Sequence, residues 1–425
     1  MRLAIIADDI TGACDCGVQL LKHGIAVAVV LAGHSFPCVK RDVVAIDTNS
    51  RYSSGDDSYK TVRECCRHLR EHETAVVYKK IDSCMRGNIG QELNAVHDVF
   101  NPDFVIIAPG HPRNGRQVIN GTHYFNHAPL HESEVAKDPR MPLTESGVAR
   151  MISRQAGRQV GHISYADIRR GCKCVVDKME FFKQQGIAYI TADSVCESDL
   201  ESLMASVRQS GYSVVWAGSA GLIEYLPEAY GLMSDCRNTT VPPGDIPVLF
   251  VMGSLSGIGR EQLSALLRDG EMGLEMKSSA VVADEARRHD EIHRLRQAAQ
   301  DAFRQGRNVA LHSSDDIEKT RRVGEMNGHS PARVCDLVSA TLSMVALELI
   351  KSNNIRRLFL TGGDTAHQVI SQLSFTEYEL IGEVEPGVPI GILHNDGAGI
   401  YVVTKAGSFG TKLAMINSLQ KLRGV

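Results

Sequence analysis

Several features that define other protein classes are missing from this 425-residue chain. No apolar run approaches the roughly 18 residues that a membrane-spanning helix needs, so a membrane partner is not expected. The first residues lack the basic start, long apolar core and small-residue cleavage site of a signal peptide. There are eleven cysteines, but no C-x-x-C pair with which to build a structural zinc site. An odd number of thiols without a secretion signal points to a reduced, cytoplasmic chain. Charge of one sign is also missing: 46 basic residues meet 50 acidic ones, for a net charge of -4. That balance argues against nucleic acid as the main partner. Neither a G-x-x-x-x-G-K-[ST] loop nor a G-x-G-x-x-G dinucleotide fingerprint occurs.

What the chain does have is alternation. Short Val/Ile-rich runs read as strands at Leu3–Ala7, Val43–Asp47, Ala75–Tyr78, Phe104–Ala108, Ala188–Thr191 and Val214–Ala217. A second series reads at Val248–Met252, Val309–His312, Leu358–Thr361, Ile390–Leu393 and Tyr401–Thr404. Helix-length amphipathic stretches such as Tyr59–His72, Asp199–Ser210 and Glu291–Arg304 lie between strands. The pattern predicts an α/β protein with largely parallel sheets flanked by helices. Gly231–Pro247 holds three prolines and reads as a linker. It divides residues 1–230 from residues 248–425, and a ligand cleft between two such domains is expected. Gly110–Thr144 shows no clear period and reads as a functional loop.

Three strand ends in the first half concentrate polar chemistry. They are Asp8-Asp9-Ile10-Thr11-Gly12, Asp47-Thr48-Asn49-Ser50-Arg51, and Lys79-Lys80-Ile81-Asp82-Ser83 continuing to Arg86. In a doubly wound sheet such ends converge on one crevice. Their carboxylates, hydroxyls, lysines and arginines suit a small polyhydroxy acid, with an Arg gripping its carboxylate and an Asp accepting from its hydroxyls. The bland reading of each motif is helix capping, with Asp9 or Thr11 capping one helix and Ser83 the next. His111, His123, His127 and His131 fit no zinc spacing and read as loop polar groups.

In the second half, Gly253-Ser254-Leu255-Ser256-Gly257, Thr361-Gly362-Gly363-Asp364 and Lys405-Ala406-Gly407-Ser408-Phe409-Gly410 each follow a strand. Glycine turns of this kind let backbone amides approach an anion, and three of them suggest a polyphosphate. Asp364 could hold Mg²⁺ or take a proton from an attacking hydroxyl. The competing reading is that Asp364 only caps its helix.

Together these motifs, with Ala108-Pro109, Asn114-Gly115-Arg116, Gly218-Ser219-Ala220-Gly221-Leu222 and Glu385-Pro386-Gly387-Val388-Pro389, resemble the four-carbon acid sugar kinases over almost the whole chain. That resemblance implies ATP-dependent phosphorylation of the terminal hydroxyl of threonate, erythronate or their 3-oxo forms. It implies a sugar-acid-binding N-terminal domain and a nucleotide-binding C-terminal one, with ATP and Mg²⁺ as cofactors. It places Asp9, Arg51, Lys80, Ile81, Asp82 and Ser83 on the substrate. It places Ser254, Thr361, Gly362, Gly363, Asp364 and Gly407 on ATP. Asp364, then Asp8, are the candidates for base or metal ligand. The continuation Asp15-Cys16-Gly17-Val18-Gln19 is closer to the threonate and erythronate kinases. Cys84-Met85 departs from the family's usual Thr-Leu. Leu255 and Gly257-Ile258-Gly259 depart at the first of the glycine turns. A homodimer is open to the chain. A nicotinamide-dependent sugar-acid dehydrogenase and a non-catalytic sugar-acid sensor are the competing readings.

Overall fold

Fully buried five-residue apolar runs give this chain its sheets, since a strand covered on both faces needs no polar alternation. The computed structural model describes residues 1–31, 42–138, 140–232, 239–253, 256–314, 316–373, 375, 377–394, 399–407 and 409–425. They form two compact units, Met1–Cys236 and Arg237–Val425.

In the first unit, β1 (Leu3–Ala7), β2 (Val27–Leu31), β3 (Val43–Asp47), β4 (Val76–Lys80) and β5 (Phe104–Ala108) are each buried at every residue. With β9 (Val160–Ile163), β10 (Tyr189–Ala192) and β11 (Val214–Gly218) they make an all-parallel sheet. Its order is β2-β3-β1-β4-β11-β5-β10-β9. The winding reverses between β1 and β4, which is where such sheets bind ligands. Register aligns Ala7 with Asp47 on one side and Lys80 on the other. The three polar motifs therefore leave the sheet at the same level. Three helices cross from its strands: α1 (Ile10–Leu21), α2 (Gly55–Glu71) and α3 (Ile89–Phe100).

The segment Gly110–Thr144, which its sequence reads as a functional loop, carries regular structure among its described residues. β6 (Arg116–Ile119), β7 (Thr122–Phe125) and β8 (Ala128–Pro129) form an antiparallel meander, followed by two short 3₁₀ turns. Asn120 and Gly121, both at positive φ, make the tight turn between β6 and β7. The Asn-Gly pair is the sequence signal that identifies this hairpin. Val118, Phe125 and Leu130 anchor it in the core beside Val105 and Ile107.

The second unit holds β12 (Val248–Met252), β13 (Met272–Met276), β14 (Val309–Ser313), β15 (Arg357–Thr361), β16 (Glu377–Glu385), β17 (Val388–His394) and β18 (Ile400–Lys405). The order is β13-β14-β12-β15-β18-β17-β16, parallel as far as β18 and antiparallel beyond it. Here the winding reverses between β12 and β15. Part of the proline-rich stretch belongs to this unit: Val241 lies in its core, and Arg357 donates to the carbonyls of Pro242 and Gly244. The sequence did not reveal β2, β9, β13 or β16. β9 and β13 are edge strands, half polar because one face is less covered.

Gly253 follows β12, and there the backbone runs close to the helix Gly363–Ser371. A Cβ at Gly253 would collide with Thr365 Oγ1. We therefore expect Gly253→Ala to cost about 1–3 kcal/mol by overpacking, read as a lowered Tm. Adding Thr365→Ala should recover most of the loss. No change in Gly253→Ala would contradict this contact.

Candidate functional site

The ends of β1, β3 and β4 build one buried charged cluster. Arg51 reaches across from the turn after β3 and grips Asp8 with two nitrogens, Nε to Oδ2 at 2.7 Å and Nη2 to Oδ1 at 2.9 Å. Its Nη1 donates to Asp9 Oδ2 at 2.7 Å. The repulsion between adjacent carboxylates is thus answered by a guanidinium fork. Three of the five Arg51 N–H groups are engaged this way, so Arg51 serves its own chain before any ligand. Burial works to raise the pKa of Asp8, but Arg51, then Lys79 and Lys80, outweigh it and hold the carboxyl below its ordinary value.

Asp9 also caps α1. Its Oδ1 accepts from Gly12 N at 2.8 Å and its Oδ2 from Thr11 Oγ1 at 2.6 Å. Capping is therefore real for Asp9, whereas Thr11 lies inside the helix. Ser83 caps nothing; the residue before α3 is Asn88. Gly12 has to be glycine, because a Cβ there would lie 2.8 Å from Asp9 Oδ1 and 3.1 Å from Lys80 Nζ.

Lys80 is the cation with capacity to spare. Its Nζ donates to Ile81 O at 2.9 Å, and its other two N–H groups have no acceptor among the described residues. Burial works against its charge, but Cys16, Asp8, Asp15 and Asp9 outweigh that and raise its pKa. Ile81 contributes only backbone here, since its side chain sits in the core with Val105 and Ile107. Asp82 is held by Arg86, Nε to Oδ2 at 2.6 Å, and Arg86 also reaches Asp138 at 3.2 Å. Burial pushes Asp82 up, yet Arg86 and Arg51 bring its carboxyl well below the usual range.

Beneath the cluster lie partners that the sequence reading passed over. Lys79 and Glu92 form a fully buried ion pair at 2.8 Å. Glu92 also accepts from Ser50 Oγ, which bonds Thr48 Oγ1, which donates to Ala7 O. A lysine inside the buried run Val-Val-Tyr-Lys-Lys signals a hidden counter-charge, but nothing in the pattern of α3 marks Glu92 as that counter-charge. His111 and His123 are buried rather than loop groups at the surface. Burial, then Arg116, Arg113, Lys80 and Lys22, pull the His111 pKa down to about 3. Burial lowers His123 to about 4.

In the second unit the three glycine turns leave three adjacent parallel strands. Gly253 N donates to Thr361 O and Gly362 N to Lys405 O, both at 3.2 Å, so the turns are stitched to one another. Ser256 Oγ donates to Gly407 O at 2.6 Å. The helix after β15 starts at Gly363 with Gly362 as its cap, so Asp364 lies in the first turn and is not the N-cap. Ser254 lies outside the described residues, as do Leu255, Pro139, Ser408 and 233–238.

The fold and these clusters define a two-unit α/β protein, with a buried, charged, hydroxyl-rich cluster at the strand ends of one unit and three hydrogen-bonded glycine turns in the other. Comparison with known proteins agrees. Residues 3–226 match a sugar-binding N-terminal domain and residues 249–415 a nucleotide-binding C-terminal domain. The chain belongs to the family that joins these two domains, the four-carbon acid sugar kinases. It is 32% identical to a D-threonate kinase of Salmonella typhimurium, covering 99% of this chain and 98% of that one. It is 27% identical to a D-erythronate kinase of Heliobacterium modesticaldum (96% and 94% covered). A 3-oxo-tetronate kinase of Pseudomonas fluorescens is 26% identical (99% and 97% covered). Among solved structures, a Salmonella typhimurium LT2 protein described as a tRNA synthase superposes with TM-score 0.79 at 22% identity, covering 98% of each chain. That likeness carries the fold alone.

The buried imidazoles make stability depend on pH in one direction. His111 is neutral in the fold, while its unfolded counterpart takes a proton below about pH 6.5. Stability is full above that value and falls as the pH drops toward 3. We expect His111 to remove on the order of 2 kcal/mol between pH 7 and pH 5, seen in urea unfolding and flattened in His111→Asn. Equal slopes in both proteins would contradict the assignment.

Proposed function

We infer that this protein is an ATP-dependent kinase that phosphorylates the terminal hydroxyl of a four-carbon sugar acid, D-threonate first among them. The observation that carries the reading is Lys80, a buried cation with two uncommitted donors beside the Asp8–Asp9 pair, in the unit that matches a sugar-binding domain. A polyhydroxy acid needs both a cation for its carboxylate and acceptors for its hydroxyls. In this reading Lys80 takes the carboxylate, helped by the two remaining N–H groups of Arg51. The free lone pairs of Asp8 and Asp9, with the Asp82–Ser83 turn, take the hydroxyls.

Ser254, the Thr361–Asp364 turn and Gly407 would hold the nucleotide. Phosphoryl transfer asks for alignment and charge neutralisation more than for covalent chemistry. Asp364 is a partly exposed carboxylate in a helix first turn, among amides that suit phosphate, which fits a divalent ion. Mg²⁺ bound there would neutralise phosphate charge. Asp364 would otherwise accept the proton of the attacking hydroxyl, with Asp8 the second candidate. The relative named a D-threonate kinase supports that substrate over the 3-oxo acids. Among the described residues no helix is long and apolar enough to cross a membrane, and a cytoplasmic location is part of this reading.

An ADP-release assay over D-threonate, L-threonate, D-erythronate, L-erythronate and the 3-oxo acids should show the highest kcat/KM with D-threonate. Silence across that panel would sink the function. Asp364→Asn should keep the fold and lose about 100-fold or more in kcat. Near-normal turnover would remove Asp364 from the mechanism.

A further inference from the structure

The last residue of β18 carries an amine that no carboxylate answers among the described residues. Lys405 is completely buried. Its Nζ donates to the carbonyls of Ala406 and Gly407, each at 2.9 Å. The third N–H of the ammonium has no acceptor, and no carboxylate lies within ion-pair distance, among the described residues. Glu385 on β16 is the one charged group there that acts on it. Glu385 is itself occupied by Thr411 N, Thr411 Oγ1 and Asn417 Nδ2. A buried ammonium without a counter-ion is expensive and persists only where something compensates it.

Two further observations point to a ligand. Thr361 is the register partner of Lys405 on β15. Its hydroxyl, on the same face of the sheet as Lys405, is buried without a hydrogen-bond partner among the described residues. Four carbonyl oxygens around the turn, those of Ala406, Gly407, Phe409 and Thr411, are moreover already taken. Lys405 and Ser256 hold Gly407 O, Lys405 holds Ala406 O, and Gln262 Nε2 holds Phe409 O and Thr411 O. An anion that meets this turn therefore meets amides and an ammonium rather than carbonyl lone pairs.

We propose that Lys405 is the charge-compensating and positioning residue for the nucleotide's phosphates, shaping the Ala406–Gly407 turn and completing its own charge balance only when a di- or triphosphate docks. This rests on the nucleotide-binding reading of the second unit and adds to it a residue and a proton. Burial lowers the Lys405 pKa from its ordinary 10.5 to about 7, with Glu385 opposing weakly. Above pH 7 the free protein holds this amine mostly neutral, and a docking phosphate favours the ammonium. Nucleotide binding then takes up a proton from solvent.

The test is calorimetric and needs no turnover. MgADP and a non-hydrolysable magnesium ATP analogue are titrated into the full chain in buffers of contrasting ionisation enthalpy, at pH 8 and at pH 6. Roughly 0.9 proton should be taken up per nucleotide at pH 8 and roughly 0.1 at pH 6, with affinity falling about tenfold for each pH unit above 7. Lys405→Met should bind at least about tenfold more weakly at pH 6 and show no uptake at pH 8. Binding heat in the native protein without buffer dependence at pH 8 would overturn the role of Lys405 and leave the kinase reading standing. Unchanged affinity in Lys405→Met would do the same. No binding heat at either pH would overturn both. The native-protein titration decides the matter if the variant fails to fold.

Discussion

Arg51 stands between two carboxylates that the end of β1 forces side by side, and the first unit is arranged around that contact. Asp8 and Asp9 cannot share a buried strand end without a positive partner. The register of β1 with β3 delivers it, because Asp8 O accepts from the backbone N–H groups of Ser50 and Arg51. The close packing then leaves no room for a Cβ at Gly12. The Lys79–Glu92 pair forms the floor, and breaking such a buried pair at one end typically costs about 3–5 kcal/mol. The cluster is therefore built for position more than for net stability. It presents Lys80 and the outer lone pairs of the two aspartates in fixed geometry before any ligand arrives.

The second unit solves a different problem with different means. It has no Walker loop, yet three parallel strands end in glycine turns that are hydrogen-bonded to one another. Side chains from neighbouring elements gather the carbonyl oxygens of the third turn, which leaves its electropositive side for an anion. The contrast with the first unit is one of charge bookkeeping. In the first unit's cluster Asp8, Asp9, Arg51, Lys79, Asp82, Arg86 and Glu92 each meet a partner of opposite charge while Lys80 meets only a carbonyl, and here Lys405 meets no carboxylate among the described residues. Each unit thus keeps one lysine in reserve, and the chemistry assigned to each unit requires an anion at that lysine.

Much of this was legible in the sequence. Runs such as Leu3–Ala7, Val43–Asp47, Phe104–Ala108 and Val248–Met252 coincide with strands because continuous burial leaves a continuous apolar signature. The polar motifs at their ends were equally plain, since strand ends at a switch point need no periodicity to stand out. Edge strands such as β9 and β13 were not legible, because partial burial dilutes their pattern. The β6–β8 meander was hidden by the shortness of its strands, four residues at most, although Asn120-Gly121 announced its turn. The site's inner logic was hidden for another reason. That Arg51 serves Asp8 and Asp9, that Glu92 answers Lys79, and that no carboxylate among the described residues answers Lys405 are facts of three-dimensional pairing. Residue type alone suggested the opposite for Arg51, an arginine waiting for a carboxylate.

The central claim is that Lys80, more than Arg51, supplies the charge that selects an acid over a neutral polyol. The direct measurement compares the affinities of D-threonate and of the matching four-carbon alditol, by calorimetry, for the native protein and Lys80→Met. The account predicts that the native protein prefers the acid by about tenfold or more, and that the preference disappears in the variant while alditol binding persists. A Lys80→Met protein that still prefers the acid as strongly as the native one would contradict it.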